Sequence, residues 1–334
     1  MKVSVIGATG YTGVELVKML SRHRHIELSS ITSESFGGIK ISDTYPSLTG
    51  ICDMVLKDND IDERVKEADA FFLCLPHKTS MEVEKKLYDK GKIVIDLSAD
   101  FRINNQDLYE KTYATRHTAP EYLRLAVYGQ PELFGTFLKG AKLVAVPGCY
   151  PTSIIMPLYP LLKDGLIDKD NIIADSKSGV SGAGRKPTMT NSYCEVNEDF
   201  KPYGVFNHRH NVEIDYILSK AKDDVNIVFT PHLLPINRGI LSTIYVKSDA
   251  PINEIEATWE KYYKNKPLVR IRKGGAIPCI KNVANSPFID MAVFKKDRNL
   301  IIVSAIDNLL RGASAQALQC FNIIAGYDEV EGLL

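Results

Sequence analysis

"KVSVIGATGYTGVELVKML", residues 2–20, passes from a short β-branched run through three glycines into apolar residues at helical spacing. "IELSSI", residues 26–31, is strand-like again, so the amino-terminal stretch predicts one βαβ unit. Apolar runs recur at 70–75 ("AFFLCL"), 92–98 ("KIVIDLS") and 141–146 ("AKLVAV"). Between the first two lies a helical stretch over 80–91 whose Gly91 stands where a glycine closes a helix. Strands alternating with helices or loops predict a mostly parallel sheet.

The glycine turn "GATGYTG" puts Gly7, Gly10 and Gly13 between the first strand and the first helix. Glycines there allow a tight turn and close approach of backbone to a pyrophosphate, which then sits on the helix amino terminus. The spacing is G-x-x-G-x-x-G, and the strand, helix and second strand around it supply the context that a dinucleotide site needs. The next loop, "TSESFGGIK" at 32–40, leaves the nucleotide open. Glu34 suits the ribose hydroxyl of NAD, whereas Ser33, Ser35 and Lys40 suit the 2′-phosphate of NADP.

Beyond Cys149 the pattern changes. "NIVFTPHL", "GILSTIYVKS", "DMAVFKK" and "NLIIVSAI" predict longer strands in a mixed or antiparallel sheet, with a hairpin turning at Lys296 to Arg298. Helices are expected at 212–222, 253–264 and 308–324, the last followed by Gly326. The expected fold class is therefore α/β: a Rossmann-type dinucleotide-binding domain plus a second α/β domain with a mixed, largely antiparallel sheet. Residues 1–148 with 308–334 are assigned to the first and 149–307 to the second.

The 334 residues carry 41 basic and 41 acidic side chains, so no global field favours nucleic acid or an anionic membrane. No apolar stretch approaches the roughly 18 residues of a transmembrane helix. With no secretory signal at the amino terminus, a cytoplasmic protein acting on a small molecule is expected. The six cysteines include no C-x-x-C pair and are expected as thiols.

One thiol stands apart. In "VPGCYPTSIIMPLYPLL", residues 146–162, Cys149 lies between a Pro-Gly turn and a helical run, at an edge where unpaired N–H groups stabilise a thiolate and an oxyanion. Such a nucleophile needs an acid/base, and "HRHNVEI" gathers His208, Arg209, His210 and Glu213 before a helix. His23, His25 and His117 sit among charged residues and are expected in solvent. Zinc is not expected, because no further ligand pattern accompanies the two histidines. "SGVSGAGR" with Arg185, and "DLSADFR" with Arg102, look built to hold anions.

Together, "GATGYTG", "DLSADFR", "PGCYPT", "SGVSGAGR", "HRHNVEI", "TPHLLPINRGIL" and "DNLLRGASAQA" resemble the N-acetyl-gamma-glutamyl-phosphate reductase family, in order and over nearly the whole chain. The resemblance implies NADP(H)-dependent reduction of N-acetyl-gamma-glutamyl phosphate to N-acetylglutamate 5-semialdehyde and phosphate, in arginine biosynthesis, through a cysteine thioester. It implies Cys149 as nucleophile and His210 as acid/base. It places the cofactor at Gly7, Thr9, Gly10, Tyr11, Thr12, Gly13, Ser33, Ser35, Gly182 and Asn308. Arg102, Ser178, Arg185, Arg209 and Glu213 become substrate-binding residues, with no metal. The partners implied are the acyl phosphate, inorganic phosphate and copies of the same chain in a homodimer or homotetramer, with neither nucleic acid nor membrane. At Glu34 the chain departs from the basic residue of many family members. Two other readings remain: a related acyl-phosphate reductase acting on aspartyl or carrier-linked aminoadipyl phosphate, and a non-catalytic NADP-sensing regulator.

Overall fold

β1 (Lys2–Ile6) runs into the glycine turn and α1 (Tyr11–Leu20), and the chain returns as β2 (Glu27–Ile31), parallel to β1. β3 (Ala70–Leu73), α2 (Met81–Asp89), β4 (Ile93–Asp96), β5 (Val127–Tyr128) and β6 (Leu143–Ala145) complete a six-stranded sheet in the order β2-β1-β3-β4-β6-β5. Every pairing in it is parallel. Strand order reverses at β1, so the glycine turn leaves the carboxyl end of β1 at the topological switch point where such sheets bind ligands. Val3, Val5, Phe72, Ile95 and Val144 meet Leu16, Val17 and Leu20 of α1 in one core. Gly91, one residue beyond the C-cap of α2, has φ +74°, a left-handed conformation that a side chain would oppose.

The computed structural model describes residues 1–334 and divides them into two compact units: Met1–Pro147 with Ala313–Leu334, and Gly148–Gly312.

The second unit opens with α3 (Cys149–Lys163), followed by β7 (Ile172–Gly179), β8 (Lys201–Pro202) and α4 (Arg209–Leu218). β9 (Ile227–Leu234), β10 (Ile240–Lys247), α5 (Ile252–Tyr262), β11 (Val269–Ile271), β12 (Ile289–Lys296) and β13 (Asn299–Ile306) follow. Its seven strands lie in the order β11-β12-β13-β10-β7-β9-β8. Four pairings are antiparallel and two, β11 with β12 and β7 with β9, are parallel. The expected hairpin is present: Lys296 pairs with Asn299, and Asp297 takes φ +55° in the two-residue turn. β7, a central strand, is absent from the sequence-based expectation, because its inward residues include Ser176 and Ser178 rather than a continuous apolar set.

Those serines let α3 lie close to the sheet. Ser176 and Ser242 are register partners on β7 and β10, and their hydroxyls bond to each other at 2.7 Å. Ser242 also meets Ser153 of α3 at 2.7 Å. Pro157 and Pro160 inside α3 remove the N–H groups that would satisfy the carbonyls of Ser153 and Met156. Side chains replace them: the Ser304 hydroxyl donates to the Ser153 carbonyl and the Tyr263 hydroxyl to that of Met156. The helix is thereby fixed to β13 and to the segment after α5 at the two points where its own ladder is interrupted.

Three sequence expectations are corrected. α4 starts at Arg209 rather than 212, because His208 caps it. The last helix, α6 (Ala315–Ala325), starts later than 308, after a π-helical turn over Leu310–Ser314. His23 and His117 are buried, not solvated. The His23 ring meets Asn322 at 3.0 Å and accepts the His25 amide, while His117 meets the Asp100 carbonyl at 2.9 Å and accepts the Ala119 amide. With both nitrogens satisfied, each ring tolerates burial despite charged sequence neighbours.

Candidate active site

Gly148 is the N-cap of α3 and Cys149 its first residue, so the Cys149 thiol stands on the first turn of a fifteen-residue helix. Cys149 is half-buried. At a helix amino terminus the peptide dipoles favour the thiolate over the thiol. Tyr150 brings an amide N–H to this turn, whereas Pro151 has none. Gly312 lies against the base of the cysteine: a Cβ built on it would fall 2.7 Å from the Cys149 Cβ.

α4 supplies the second half of the site. The His208 ring accepts the His210 amide at 3.1 Å through Nδ1, which makes it the N-cap of α4 and requires a neutral ring at that nitrogen. Burial, and secondarily the Arg209 charge, push the His208 pKa down to about 4. His210 and Glu213, three residues apart, share one face of α4. Both are buried, and a Glu213 carboxylate oxygen accepts the Gly148 amide at 2.9 Å. That bond ties the face bearing His210 to the turn bearing Cys149. Tyr150 packs edge-on against both His208 and His210, with ring centroids 5.7 and 6.0 Å away. The Tyr203 hydroxyl donates to that of Tyr150, which donates to the His232 carbonyl.

Other sequence-selected residues of this unit form a cluster around Asn308. Its side chain accepts the Gly239 amide at 2.7 Å and donates to the Ser181 hydroxyl at 3.0 Å. A Cβ on Gly182 would meet the Ser178 hydroxyl at 3.2 Å and the Asn308 amide at 3.7 Å, so these three residues are neighbours. Arg185 and Arg209 are exposed. One carboxylate oxygen of Glu213, a residue expected at the substrate, accepts the Gly148 amide.

In the first unit, Gly7 has φ +84°, and a Cβ there would fall 2.6 Å from the Cys74 carbonyl oxygen. One on Gly13 would fall 2.5 Å from the Gly7 oxygen, whereas one on Gly10 would meet nothing nearer than 3.7 Å. Gly7 and Gly13 therefore close the turn, and Gly10 leaves its outer side open. Gly10 is the N-cap of α1, without a capping side chain, and the first turn, with Tyr11 and Thr12, holds no acidic residue. The Ser33 hydroxyl is buried against that of Thr9 at 2.9 Å, whereas Glu34 and Ser35 are exposed. Arg102 is buried and donates to the carbonyls of Val146 and Leu97 at 2.7 and 2.9 Å, which fastens the ends of two strands.

The match to known proteins covers both units. Residues 2–141 fit the semialdehyde dehydrogenase NAD binding domain and residues 149–308 the semialdehyde dehydrogenase dimerisation domain. The N-acetyl-gamma-glutamyl-phosphate reductase of Geobacter sulfurreducens is 48% identical over 100% of this chain and 98% of its own. That of Desulfotalea psychrophila is 46% identical at the same coverage. The chain belongs to the N-acetyl-gamma-glutamyl-phosphate reductase family. Among solved structures it resembles aspartate semialdehyde dehydrogenase II of Vibrio cholerae, with a TM-score of 0.74 at 15% identity, covering 97% of this chain and 98% of that one. The Candida albicans aspartate semialdehyde dehydrogenase with NADP gives 0.68 at 17% identity, covering 97% and 99%. These two share the fold of the reductase family.

The His208 cap has a pH signature. Its folded pKa of about 4 lies below the ordinary 6.5, so between those values the unfolded chain binds the proton that the folded chain refuses. Stability from this group is complete well above pH 6.5 and declines as pH falls toward 4, by a few kcal/mol (on the order of 3) in all. His208→Asn keeps a capping acceptor without a titrating group. Denaturant unfolding across this range is expected to show a shallower pH dependence for the variant than for wild type.

Proposed function

We propose that this chain reduces N-acetyl-gamma-glutamyl phosphate to N-acetylglutamate 5-semialdehyde and phosphate, with Cys149 as nucleophile, His210 as acid/base and NADPH as reductant. The observation that carries the reading is the Gly148–Glu213 bond, which joins a thiol on a helix amino terminus to a histidine on the facing helix. His210 takes the thiol proton, and the sulfur attacks the acyl carbon. The carbon–oxygen bond to phosphate then breaks, leaving a thioester on Cys149. The Tyr150 amide and the dipole of α3 stabilise negative charge on the acyl oxygen. The imidazolium of His210 steadies the sulfur when the aldehyde departs and the thiolate returns.

The glycine turn fits a dinucleotide. Its closed inner side and open outer side leave the amino terminus of α1 for a pyrophosphate, held by the segment from Gly7 to Gly13. NADPH, when bound, supplies the hydride that reduces the thioester carbon. Exposed Ser35 and Lys40 favour a 2′-phosphate, with Glu34 opposing it.

The same proposal includes a homodimer formed through the second unit. Val228, Ile173, Tyr245 and Ile301 are cross-strand neighbours on β9, β7, β10 and β13, and each is 36–42% exposed. A continuous apolar row of this kind across a sheet marks an interaction surface. A second copy of the chain is its partner, in keeping with the dimerisation-domain match over residues 149–308.

Two measurements test these readings. Oxidation of N-acetylglutamate 5-semialdehyde with phosphate is expected to run faster with NADP than with NAD. In that assay Cys149→Ala loses activity while still binding NADPH, and His210→Asn loses roughly 10²–10⁴ in kcat with little change in KM. An active Cys149→Ala protein contradicts the mechanism. Light scattering is expected to give a mass about twice the 37.2 kDa of one chain, and a monomer for Ile301→Lys. A wild-type monomer at micromolar concentration contradicts the dimer.

A further inference from the structure

Two of the sequence motifs, "TPHLLPINRGIL" and "DNLLRGASAQA", have no part in the chemistry proposed above beyond the Asn308 side chain. In the structure they meet at Asp307. Its carboxylate is completely buried and accepts three backbone amides: Leu309 at 2.8 Å and Leu310 at 2.9 Å on one oxygen, Asn285 at 2.7 Å on the other. The Arg238 guanidinium stands 3.6 Å from that second oxygen. The Asp307 carbonyl accepts the Gly312 amide at 2.9 Å, five residues on rather than the four of an α-helix. The turn from 307 to 312 is thus closed at its start by a side chain and at its end by a wide backbone bond.

Gly312 is where this turn reaches Cys149. With a Cβ position 2.7 Å from the Cys149 Cβ and 3.1 Å from its Cα, only glycine fits without moving the cysteine backbone. We propose that Asp307 is a positioning residue for Cys149, acting through the backbone of Gly312. The inference rests on the reading of Cys149 as nucleophile. Leu309 and Leu310 are also buried, so the turn cannot relax outward without exposing them. The neighbouring Asn308 holds the Gly239 amide and the Ser181 hydroxyl, which fixes the same turn to the loop between β9 and β10 and to the segment after β7. The sulfur is therefore held from two directions: by Glu213 through Gly148, and by Asp307 through Gly312.

Asp307→Asn keeps one acceptor for Leu309 and Leu310 but turns an NH2 donor toward the Asn285 amide. Gly312→Ala leaves the Asp307 side chain unchanged and sets a methyl group against Cys149. The readout is the rate of iodoacetamide alkylation of Cys149, followed on its own peptide by mass spectrometry across pH, beside kcat and KM of the full chain. For both variants the alkylation rate and kcat are expected to fall on the order of tenfold, as displacement of a reacting group by a fraction of an ångström produces, with KM nearly unchanged. If Asp307→Asn does not fold, Gly312→Ala decides alone. A folded Gly312→Ala protein with the wild-type alkylation profile and wild-type kcat overturns the proposal. An active Cys149→Ala enzyme would instead overturn the assignment of the nucleophile, and the alkylation rates distinguish the two failures because they need no turnover.

Discussion

The bond from the Gly148 amide to the buried Glu213 carboxylate is the interaction on which the candidate site depends. It joins two helix starts that are far apart in sequence, one carrying Cys149 and the other His210. A hydrogen bond to a charged group contributes about 1.5–3 kcal/mol, and leaving a buried carboxylate without it costs at least as much. The arrangement puts the Glu213 carboxylate onto a backbone amide. It leaves the imidazole of His210 as the ionisable neighbour on the same face. His208, one residue before the helix, is held neutral by burial and by the Arg209 charge, and as a neutral ring it accepts the His210 amide.

A positioned thiol also needs a stiff base. α3 carries two prolines in its body, which would ordinarily weaken it. The hydroxyls of Ser304 and Tyr263 fill the carbonyls those prolines abandon, so each break in the helix becomes a joint to the surrounding structure. The serine contacts among Ser153, Ser176 and Ser242 draw helix and sheet together without bulky side chains between them. The Trp259 indole adds another joint by donating to the Pro157 carbonyl at 2.9 Å. What reads in the sequence as a helical apolar run is a helix pinned along its length.

Much of this was legible in the amino-acid sequence. The glycine turn, the parallel strands of the first unit and the hairpin at Asp297 follow from local pattern, because period and turn chemistry act over a few residues. Cys149 at a helix start was legible for the same reason. β7 was not, since its buried positions include Ser176 and Ser178 rather than a continuous apolar set, and Ser176 finds its partner on β10. Nor was the burial of His23 and His117, because charged neighbours in sequence point the other way once the chain turns. Gly312 and Asp307 were legible only as part of the "DNLLRGASAQA" motif: their role comes from contact with Cys149 and Asn285, which only the folded chain brings near. Glu213 was legible as a site residue but not as the acceptor of the Gly148 amide.

The central claim is that Cys149 carries the acyl group. Mixing the full chain with N-acetyl-gamma-glutamyl phosphate in the absence of NADPH, quenching with acid and digesting for mass spectrometry tests it directly. The account predicts release of about one phosphate per site and an N-acetylglutamyl adduct on the peptide containing Cys149. Phosphate release with no adduct, or an adduct on another residue, would contradict it.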